Sequence, residues 1–277
     1  MKTVRLACGE RVPAFGVGGW NIGEAAATRA EEIATLRLAL DLGARLIDTA
    51  EMYGDGRSEE LIAEAIAGRR DEVFLVSKGY PHNASARGAQ AACERSLRRL
   101  KTDRIDLYLL HWRGAVPLAE TLAAFERLKR AGKIRHYGVS NLDLEDARSL
   151  WKLPGGASVA TNQLLYNLAR RGIEWDLLPW MRERRMPVMA YSPIEQGRLA
   201  RDPTLAAFAR SRGMSPAQAA LAWLLARDDV VVIPKTGRRE RLQENLGALE
   251  HALGADDLAE LDRLFPPPAG ATALEML

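Results

Sequence analysis

Short apolar runs recur along the chain, and each ends in a polar residue that is followed by a different, helix-like pattern. The runs are rich in β-branched and other apolar side chains, which is typical of buried strands. We count eight of them: Phe15–Trp20, Leu46–Thr49, Val73–Ser77, Ile105–His111, Ile134–Ser140, Val159–Gln163, Pro187–Ser192 and Val230–Pro234. Between runs, apolar residues recur every three or four positions, as on one face of a helix. Such stretches are Thr28–Leu42, Ser58–Ala67, Ala84–Leu100, Leu118–Ala131 and Ser215–Ala226.

This alternation predicts the α/β class, with parallel strands joined by helical crossovers, and eight repeats are enough to close a (β/α)₈ TIM barrel. A doubly wound open sheet is the runner-up. It is disfavoured because Gly16–Trp20 contains no G-x-G-x-x-G motif opening a helix, and no Walker motif is present. Two apolar segments, Val4–Leu6 and Val12–Phe15, flank Cys8–Glu10 and predict an N-terminal β-hairpin that caps the bottom of the barrel. No linker interrupts the pattern, so we expect one domain over residues 1–277, with Pro266–Pro268 in a tail after the last helix.

Composition narrows the function classes. The chain has 277 residues, of which 47% are hydrophobic and 27% charged, the balance of a soluble globular protein. Lys plus Arg number 39 and Asp plus Glu 36, a net charge of +3 with no basic block, so we expect no nucleic-acid partner. Cys8 and Cys93 are far apart and predict neither a disulfide framework nor a metal site. Met1–Pro13 lacks an apolar leader and no run would span a membrane, which predicts a cytoplasmic protein without a membrane partner. The Asn83–Ser85 glycosylation pattern is then a chance match or a helix start.

Polar residues with acid–base chemistry stand at or just beyond the ends of three predicted strands. Asp48 and Lys78 follow apolar runs, His111 ends another, and Tyr53 lies on the loop after Asp48. The loops at the carboxyl ends of barrel strands form the active face, so we expect these side chains to meet. A tyrosine hydroxyl is a poor acid–base group near neutral pH unless a cation such as Lys78 stabilises its anion. Asp48 would keep that lysine charged, and His111 could donate a hydrogen bond to a carbonyl oxygen.

These four residues resemble the catalytic tetrad of the aldo-keto reductase family, and further motifs extend the resemblance over nearly the whole chain. The motifs are Gly43–Ala50 with Tyr53, Val76–Lys78, Leu110–Trp112, Gly138–Asn141, Asn162–Gln163, Tyr191–Pro193, and Ile233–Thr236 with Arg241, Glu244 and Asn245. The resemblance implies a barrel that binds NADPH without a Rossmann fold and reduces aldehydes or ketones to alcohols. Hydride would come from the nicotinamide and a proton from Tyr53, with no metal. The catalytic residues it implies are Asp48, Tyr53, Lys78 and His111.

The resemblance also implies a cofactor site. Its residues would be Gly19, Trp20, Ser140, Asn141, Gln163, Tyr191, Ser192, Pro193, Lys235, Thr236, Arg241, Glu244 and Asn245. Ser140, Asn141 and Gln163 would hold the carboxamide, Tyr191 would stack on the ring, and Glu244 with Asn245 would face the adenine. Lys235, Thr236 and Arg241 offer an ammonium, a hydroxyl and a guanidinium near a helix start, which favours a 2′-phosphate and therefore NADPH over NADH.

The same resemblance implies an aromatic substrate pocket. Its residues would be Trp20, Tyr53, Tyr80, His111 and Trp112, which favour apolar or aromatic carbonyl compounds. Residues Gly54–Arg57 make the loop before Ser58 longer than in the compact family signature. The chain stops soon after the helix near Asp257–Leu264, so we expect the long pocket-closing C-terminal loop to be missing and the pocket to be open.

Two other functions stay open at this point. One is a regulatory NADPH-binding interaction module on the same fold, because family members associated with channels use the barrel in this way. The other is a Schiff-base lyase with Lys78 as the nucleophile. We expect a monomer that acts on a small-molecule carbonyl substrate; the physiological substrate and the direction of the reaction are left open.

Overall fold

The computed structural model describes all residues, 1–277, and its centre is an eight-stranded parallel sheet. Two short strands, β1 (Thr3–Arg5) and β2 (Arg11–Pro13), precede it. The sheet strands are β3 (Gly16–Gly18), β4 (Leu46–Asp48), β5 (Phe74–Gly79), β6 (Ile105–Leu110), β7 (Ile134–Ser140), β8 (Asn162–Leu165), β9 (Val188–Tyr191) and β10 (Val230–Val232). They lie side by side in chain order, each parallel to the next.

The first and last sheet strands meet and close the barrel. Val232 N donates to Ala14 O at 2.8 Å, and Gly18 N donates to Pro234 O at 3.1 Å. A Cβ on Gly18 would lie 2.8 Å from the Ile233 carbonyl oxygen, so this close approach requires glycine. The predicted (β/α)₈ barrel is confirmed.

Helices fill the intervals between the strands. They are α1 (Arg29–Asp41), α2 (Arg57–Ala65), α3 (Ala86–Leu100), α4 (Leu118–Arg130), α5 (Leu144–Trp151), α6 (Leu177–Glu183), α7 (Pro203–Arg210), α8 (Pro216–Leu225), α9 (Arg239–Gly247) and α10 (Ala255–Leu264). Ser85 accepts a hydrogen bond from Gly88 N, so the Asn83–Ser85 pattern lies at a helix start. Ser215 and Gln218 form a capping box around Pro216. No helix combines the length and the apolar character needed to cross a bilayer.

The N-terminal hairpin is present and docks on the barrel. Strands β1 and β2 pair antiparallel, with Val4 opposite Val12, and both side chains are buried. Ala7 N donates to Ala160 O at 3.1 Å, just before β8 begins. The hairpin therefore covers the amino-terminal end of the barrel, as predicted, and leaves the carboxyl ends of the strands free.

Strand β8 begins later than the predicted run that starts at Val159. The Val159 N–H closes a short 3₁₀ turn onto Gly156 O, and the Ala160 carbonyl accepts from the hairpin. Helices α5, α6 and α7 were not among the predicted stretches, because elements of seven or eight residues carry little periodicity.

Candidate active site

A cavity of about 740 Å³ opens where the carboxyl ends of the barrel strands meet. Its walls carry most of the residues that the sequence singled out: Trp20, Asp48, Tyr53, His111, Trp112, Ser140, Asn141, Gln163, Tyr191, Ser192, Pro193, Lys235, Thr236 and Arg241. Most of them lie at the ends of strands or in the loops that follow, which form this face of the barrel. This cavity is large enough for a small molecule and a cofactor segment together.

Three side chains form a connected polar chain at the floor of the cavity. Lys78 Nζ donates to Asp48 Oδ2 at 2.7 Å, to the Thr49 carbonyl at 2.8 Å and to Tyr53 Oη at 3.1 Å. Lys78 is fully buried and Asp48 nearly so; Asp48 and Tyr53 line the cavity, whereas Lys78 does not. The lysine cannot reach a substrate directly, so it acts through Tyr53.

Burial and charge set the protonation states of this chain. Burial raises the pKa of the Tyr53 hydroxyl; the Lys78 cation lowers it and the Asp48 carboxylate raises it, and the net direction is upward. The Lys78 cation lowers the pKa of Tyr53, as expected, but burial and the Asp48 carboxylate together raise it by more. Burial lowers the pKa of Lys78, but the charges of Asp48 and Tyr53 raise it by more. The result is a charged lysine beside a protonated tyrosine, which is a proton donor.

His111 stands beside this chain as a neutral base. Its ring lies 5.8 Å from the Tyr53 ring and 4.8 Å from the Trp112 ring, measured between centroids. Burial, with a smaller contribution from Lys78, lowers the pKa of His111 to about 2. Its Nδ1 is buried without a hydrogen-bond partner. A neutral imidazole in an apolar wall can orient a carbonyl oxygen without adding charge.

Local backbone geometry delivers Tyr53 to the floor. The turn after it holds Gly54, Asp55 and Gly56 at φ values of 57°, 55° and 89°, in the left-handed region. A Cβ on residue 56 would lie 2.4 Å from Arg99 Nε, so the Arg99 side chain would have to move. The longer Gly54–Arg57 segment is therefore a tight turn that leads directly into α2.

Residues at the ends of β7, β8 and β9 build a polar wall opposite Tyr53. Ser140 Oγ donates to the Gln163 carbonyl at 2.9 Å, and Tyr191 Oη donates to Asn141 Oδ1 at 3.0 Å. Gln163 Nε2 donates to Asp48 Oδ1 at 2.8 Å, which links this wall to the tetrad. The wall offers fixed amide and hydroxyl groups together with an aromatic ring, which suits a planar amide-bearing ring such as nicotinamide.

The loop after β9 is fixed by the buried carboxylate of Glu195, which the sequence analysis did not single out. Ser192, Glu195 and Gln196 have φ values of 47°, 48° and 51°. Glu195 accepts from Asn167 Nδ2 at 2.8 Å and from Arg170 Nε at 2.9 Å. No local pattern marks Glu195, since its partners lie in another loop. Ile194, Gln196 and Gly197 of this loop also line the cavity.

The far end of the cavity is basic. Lys235, Thr236 and Arg241 line it, and α9 starts there without a side-chain cap. Burial lowers the pKa of Lys235, which Glu32 and Glu24 raise and Arg241 lowers, for a net decrease. An anion would relieve this unfavourable positive charge, and the positive end of the α9 dipole would favour it further. A phosphate monoester therefore fits these residues.

The acidic groups near the basic end already have partners. Glu31 is bound by Arg239 at 3.0 Å, and Glu32 accepts from Gly23 N at 2.9 Å and Thr28 Oγ1 at 3.0 Å. Neither carboxylate forms an ion pair with Lys235 or Arg241.

Five predicted site residues do not line the cavity, and one of them is Lys78, the buried lysine described above. Gly19 is packed under it, where a Cβ would lie 2.8 Å from Ser58 Oγ. Tyr80 packs edge-on behind Trp112, 5.9 Å away, and stacks on His82. Glu244 and Asn245 lie further along α9, outside the cavity wall. A substrate contact of Tyr80 and adenine contacts of Glu244 and Asn245 stay predictions.

The C-terminal tail corrects the expectation of an open pocket. After α10 the chain returns to the barrel, where Arg170 Nη1 donates to Glu275 Oε1 at 2.5 Å. Thr272 packs closely on Gly172. Met276 and Leu277 line the cavity. A short tail thus covers part of the rim, and the sequence showed no sign of it because the Arg170–Glu275 contact joins residues 105 positions apart.

Comparison with known proteins agrees with this geometry. The family model "Aldo/keto reductase family" matches residues 14–265. The chain is 49% identical to methylglyoxal reductase YeaE of Escherichia coli K12, covering 100% of this chain and 99% of the relative. It is 31% identical to a glyoxal reductase of Bacillus subtilis, covering 95% and 92%. A crystal structure of an aldo/keto reductase from Klebsiella pneumoniae in complex with NADP and acetate matches with a TM-score of 0.97 and 50% identity, covering 100% and 99%. The chain therefore belongs to the aldo/keto reductase family.

Proposed function

We propose that this protein reduces aldehydes and ketones with NADPH, and that short 2-oxoaldehydes are its substrate class. The observation that carries the proposal is the position of the Tyr53 hydroxyl, 3.1 Å from the buried Lys78 ammonium and at the surface of the cavity. The cofactor, when bound, supplies the hydride. The chain's own residues hold the carbonyl and deliver the proton.

Tyr53 is the general acid in this proposal. As it gives its proton to the carbonyl oxygen, the negative charge that develops on Tyr53 Oη faces the Lys78 ammonium. Asp48 fixes that ammonium, so the cation is in place before the reaction and needs no rearrangement. His111, which is neutral, can donate from its ring to the same carbonyl oxygen and align it.

The proposed substrate class rests on the cavity and on the relatives. Trp20, Trp112 and Met52 give the walls an apolar character, and Met276 and Leu277 add two further apolar side chains to the lining. A small, weakly polar dicarbonyl suits such a site better than a charged sugar acid. Relatives named as methylglyoxal and glyoxal reductases support this choice.

The alternatives receive less support from the geometry. A Schiff-base lyase needs a free lysine nitrogen in the cavity, but Lys78 Nζ makes three hydrogen bonds and lies behind Tyr53. A purely regulatory barrel gives no reason for the complete acid–base chain. A monomeric state, the absence of a nucleic-acid partner, a cytoplasmic location and one domain over 1–277 remain our inferences; light scattering of the purified protein tests the first.

The decisive test compares Tyr53→Phe with the matched variant Tyr80→Phe. Methylglyoxal-dependent oxidation of NADPH should fall by roughly 100- to 10,000-fold in the first. It should stay within about twofold of wild type in the second, because Tyr80 lies behind Trp112 and outside the cavity. Circular dichroism and NADPH binding should be unchanged in both. Near wild-type turnover by Tyr53→Phe on every carbonyl tested would refute the proposed mechanism.

A further inference from the structure

Two segments that line the active-site cavity, far apart in the sequence, meet at one arginine. The first, which we call the β9 loop, is Ser192–Gly197, and the second is the C-terminal tail, residues 266–277. Arg170 Nε donates to Glu195 Oε1 in the β9 loop at 2.9 Å. Arg170 Nη1 donates to Glu275 Oε1 in the tail at 2.5 Å. One guanidinium therefore bridges the loop and the tail.

Arg170 stands on a tight turn that follows β8. Asn167 N donates to Arg170 O at 3.3 Å, and Arg170 N donates to Asn167 O at 3.0 Å. The Asn167 side chain is fully buried, and its Nδ2 donates to Ser192 O at 2.9 Å and to Glu195 Oε2 at 2.8 Å. Its Oδ1 accepts from Ala169 N at 2.9 Å. The turn is thus a fixed base from which Arg170 reaches both segments.

The β9 loop needs such an anchor because its backbone is strained. Ser192, Glu195 and Gln196 have φ values of 47°, 48° and 51°, in the left-handed region. Residues other than glycine keep this conformation only where their surroundings hold it. Asn167 and Arg170 supply the contacts that hold this loop. Ser192 and Gln196 line the cavity, so these contacts also shape its wall.

The tail has few other attachments. No backbone–backbone hydrogen bond involves residues 266–277, and the pair with Arg170 is their only ion pair. Leu274 packs against the hydrophobic core, but a cavity of about 180 Å³ remains between the tail and the starts of α5 and α6. Glu275 is therefore the charged anchor of the tail, and the next two residues, Met276 and Leu277, line the active-site cavity.

We propose that Arg170 is a positioning residue for the reductase, which couples the β9 loop to the tail so that NADPH binding orders both. This inference rests on the function proposed above, in which Ser192 of the β9 loop contacts NADPH. A β9 loop held by bound NADPH keeps Glu195, and through it Arg170, in the position that binds Glu275. Coupling between two sites is reciprocal, so an anchored tail also slows NADPH release.

The Arg170–Glu275 ion pair limits the size of this coupling. The side chains of Arg170 and Glu275 are 28% and 40% exposed. Ion pairs of this exposure change an equilibrium constant by a factor of about 1.5 to 5. A coupling cannot exceed the contact that carries it, and most such effects appear in the dissociation rate. Glu275→Gln should therefore speed NADPH release about 1.5- to 5-fold.

The test measures NADPH release from the full chain by stopped-flow fluorescence, without a carbonyl substrate. Glu275→Gln should speed release in the wild-type background and have no effect in an Arg170→Met background, where the bridge is already broken. Arg198→Met is the matched control, because Arg198 pairs with Glu195 at 3.5 Å and not with the tail. It should release NADPH at the wild-type rate. The same acceleration by Glu275→Gln with and without Arg170 would overturn the proposal.

A second measurement does not depend on the folding of Arg170→Met. Bound NADPH should slow amide hydrogen exchange in residues 272–277 of the wild type, and do so less in Glu275→Gln. Equal protection of the tail in both proteins would contradict the coupling. Single-turnover reduction at saturating substrate should stay within about twofold in Glu275→Gln, because the tetrad is unchanged. A loss of about tenfold or more would show that the tail acts on the chemical step, which is not the proposed role.

These measurements separate the coupling from the proposed function. A chain that does not bind NADPH would refute the proposed function and this inference with it. A chain that binds NADPH, but releases it equally fast in the wild type and in Glu275→Gln, would overturn the coupling alone.

Discussion

Removing the buried lysine of the active site should destabilise the fold as well as abolish activity. Lys78 is fully buried and Asp48 is 3% exposed in its side chain, with 2.7 Å between their charged atoms. In Lys78→Met, the Asp48 carboxylate keeps one side-chain donor, Gln163 Nε2 at 2.8 Å. The methionine side chain, which is nearly the same size as lysine but apolar, would then contact a buried Asp48 carboxylate that has no cation beside it.

The size of the effect follows from that geometry. Breaking a buried ion pair by removing one partner typically costs 3 to 5 kcal/mol, so Lys78→Met should lose about that much free energy of unfolding. At roughly 2 °C per kcal/mol for a chain of this length, Tm should fall by about 6 to 10 °C.

A double variant separates stability from catalysis. Adding Asp48→Asn to Lys78→Met removes the unpaired charge, so stability should recover by about 2 kcal/mol or more. Turnover should not recover, because Tyr53 still lacks its cation. Urea denaturation and NADPH oxidation on the wild type, both single variants and the double variant complete the cycle. A Lys78→Met protein within about 1 kcal/mol of wild type, or a double variant less stable than Lys78→Met, would refute the buried-pair argument.

Two further predictions concern the cofactor and the histidine. Charge-assisted hydrogen bonds contribute about 1.5 to 3 kcal/mol each, so Arg241→Ala and Lys235→Met should each weaken NADPH binding by roughly 10- to 150-fold and NADH binding little. Fluorescence titration with both cofactors checks this, and equal losses would exclude a role in reading the 2′-phosphate. The unfolded chain protonates His111 near pH 6.5, whereas the folded chain does so only near pH 2. The contribution of neutral, buried His111 to the free energy of unfolding is therefore fully present above pH 6.5. It decreases as the pH falls, by about 2 kcal/mol at pH 5. His111→Asn should lose this part of the pH dependence in urea titrations, and an unchanged slope would contradict it.

The sequence predicts the barrel well because each strand carries its own signal. A buried apolar run and a polar residue at its end are local features, and they place Asp48, Lys78 and His111 at one face once the fold is known. The tetrad contacts follow from those positions. The hairpin is predicted for the same reason, because the apolar segments that begin at Val4 and Val12 lie on both sides of a turn.

What the sequence missed depends on contacts between distant parts of the chain. The return of the tail requires Arg170 to meet Glu275, and nothing near either residue marks the pairing. Tyr80 follows a strand as the residues of the cavity wall do, but its ring packs edge-on against Trp112 and does not line the cavity. The pKa of Tyr53 rises because burial outweighs the cation, and burial is a property of the whole packed barrel.

The pairing of β3 with β10, which closes the barrel, determines when the protein becomes active during folding. The tetrad comes from one contiguous stretch of the chain, from β4 to the end of β6. Local folding can therefore assemble Asp48, Tyr53, Lys78 and His111 early. The cofactor end needs the first and last strands together, since Trp20 and Lys235 both line it. Joining the two ends of a chain is the step with the largest loop-closure entropy. NADPH should therefore bind only after β3 and β10 have paired and closed the barrel. The rate at which NADPH binding appears during refolding would report the rate of barrel closure.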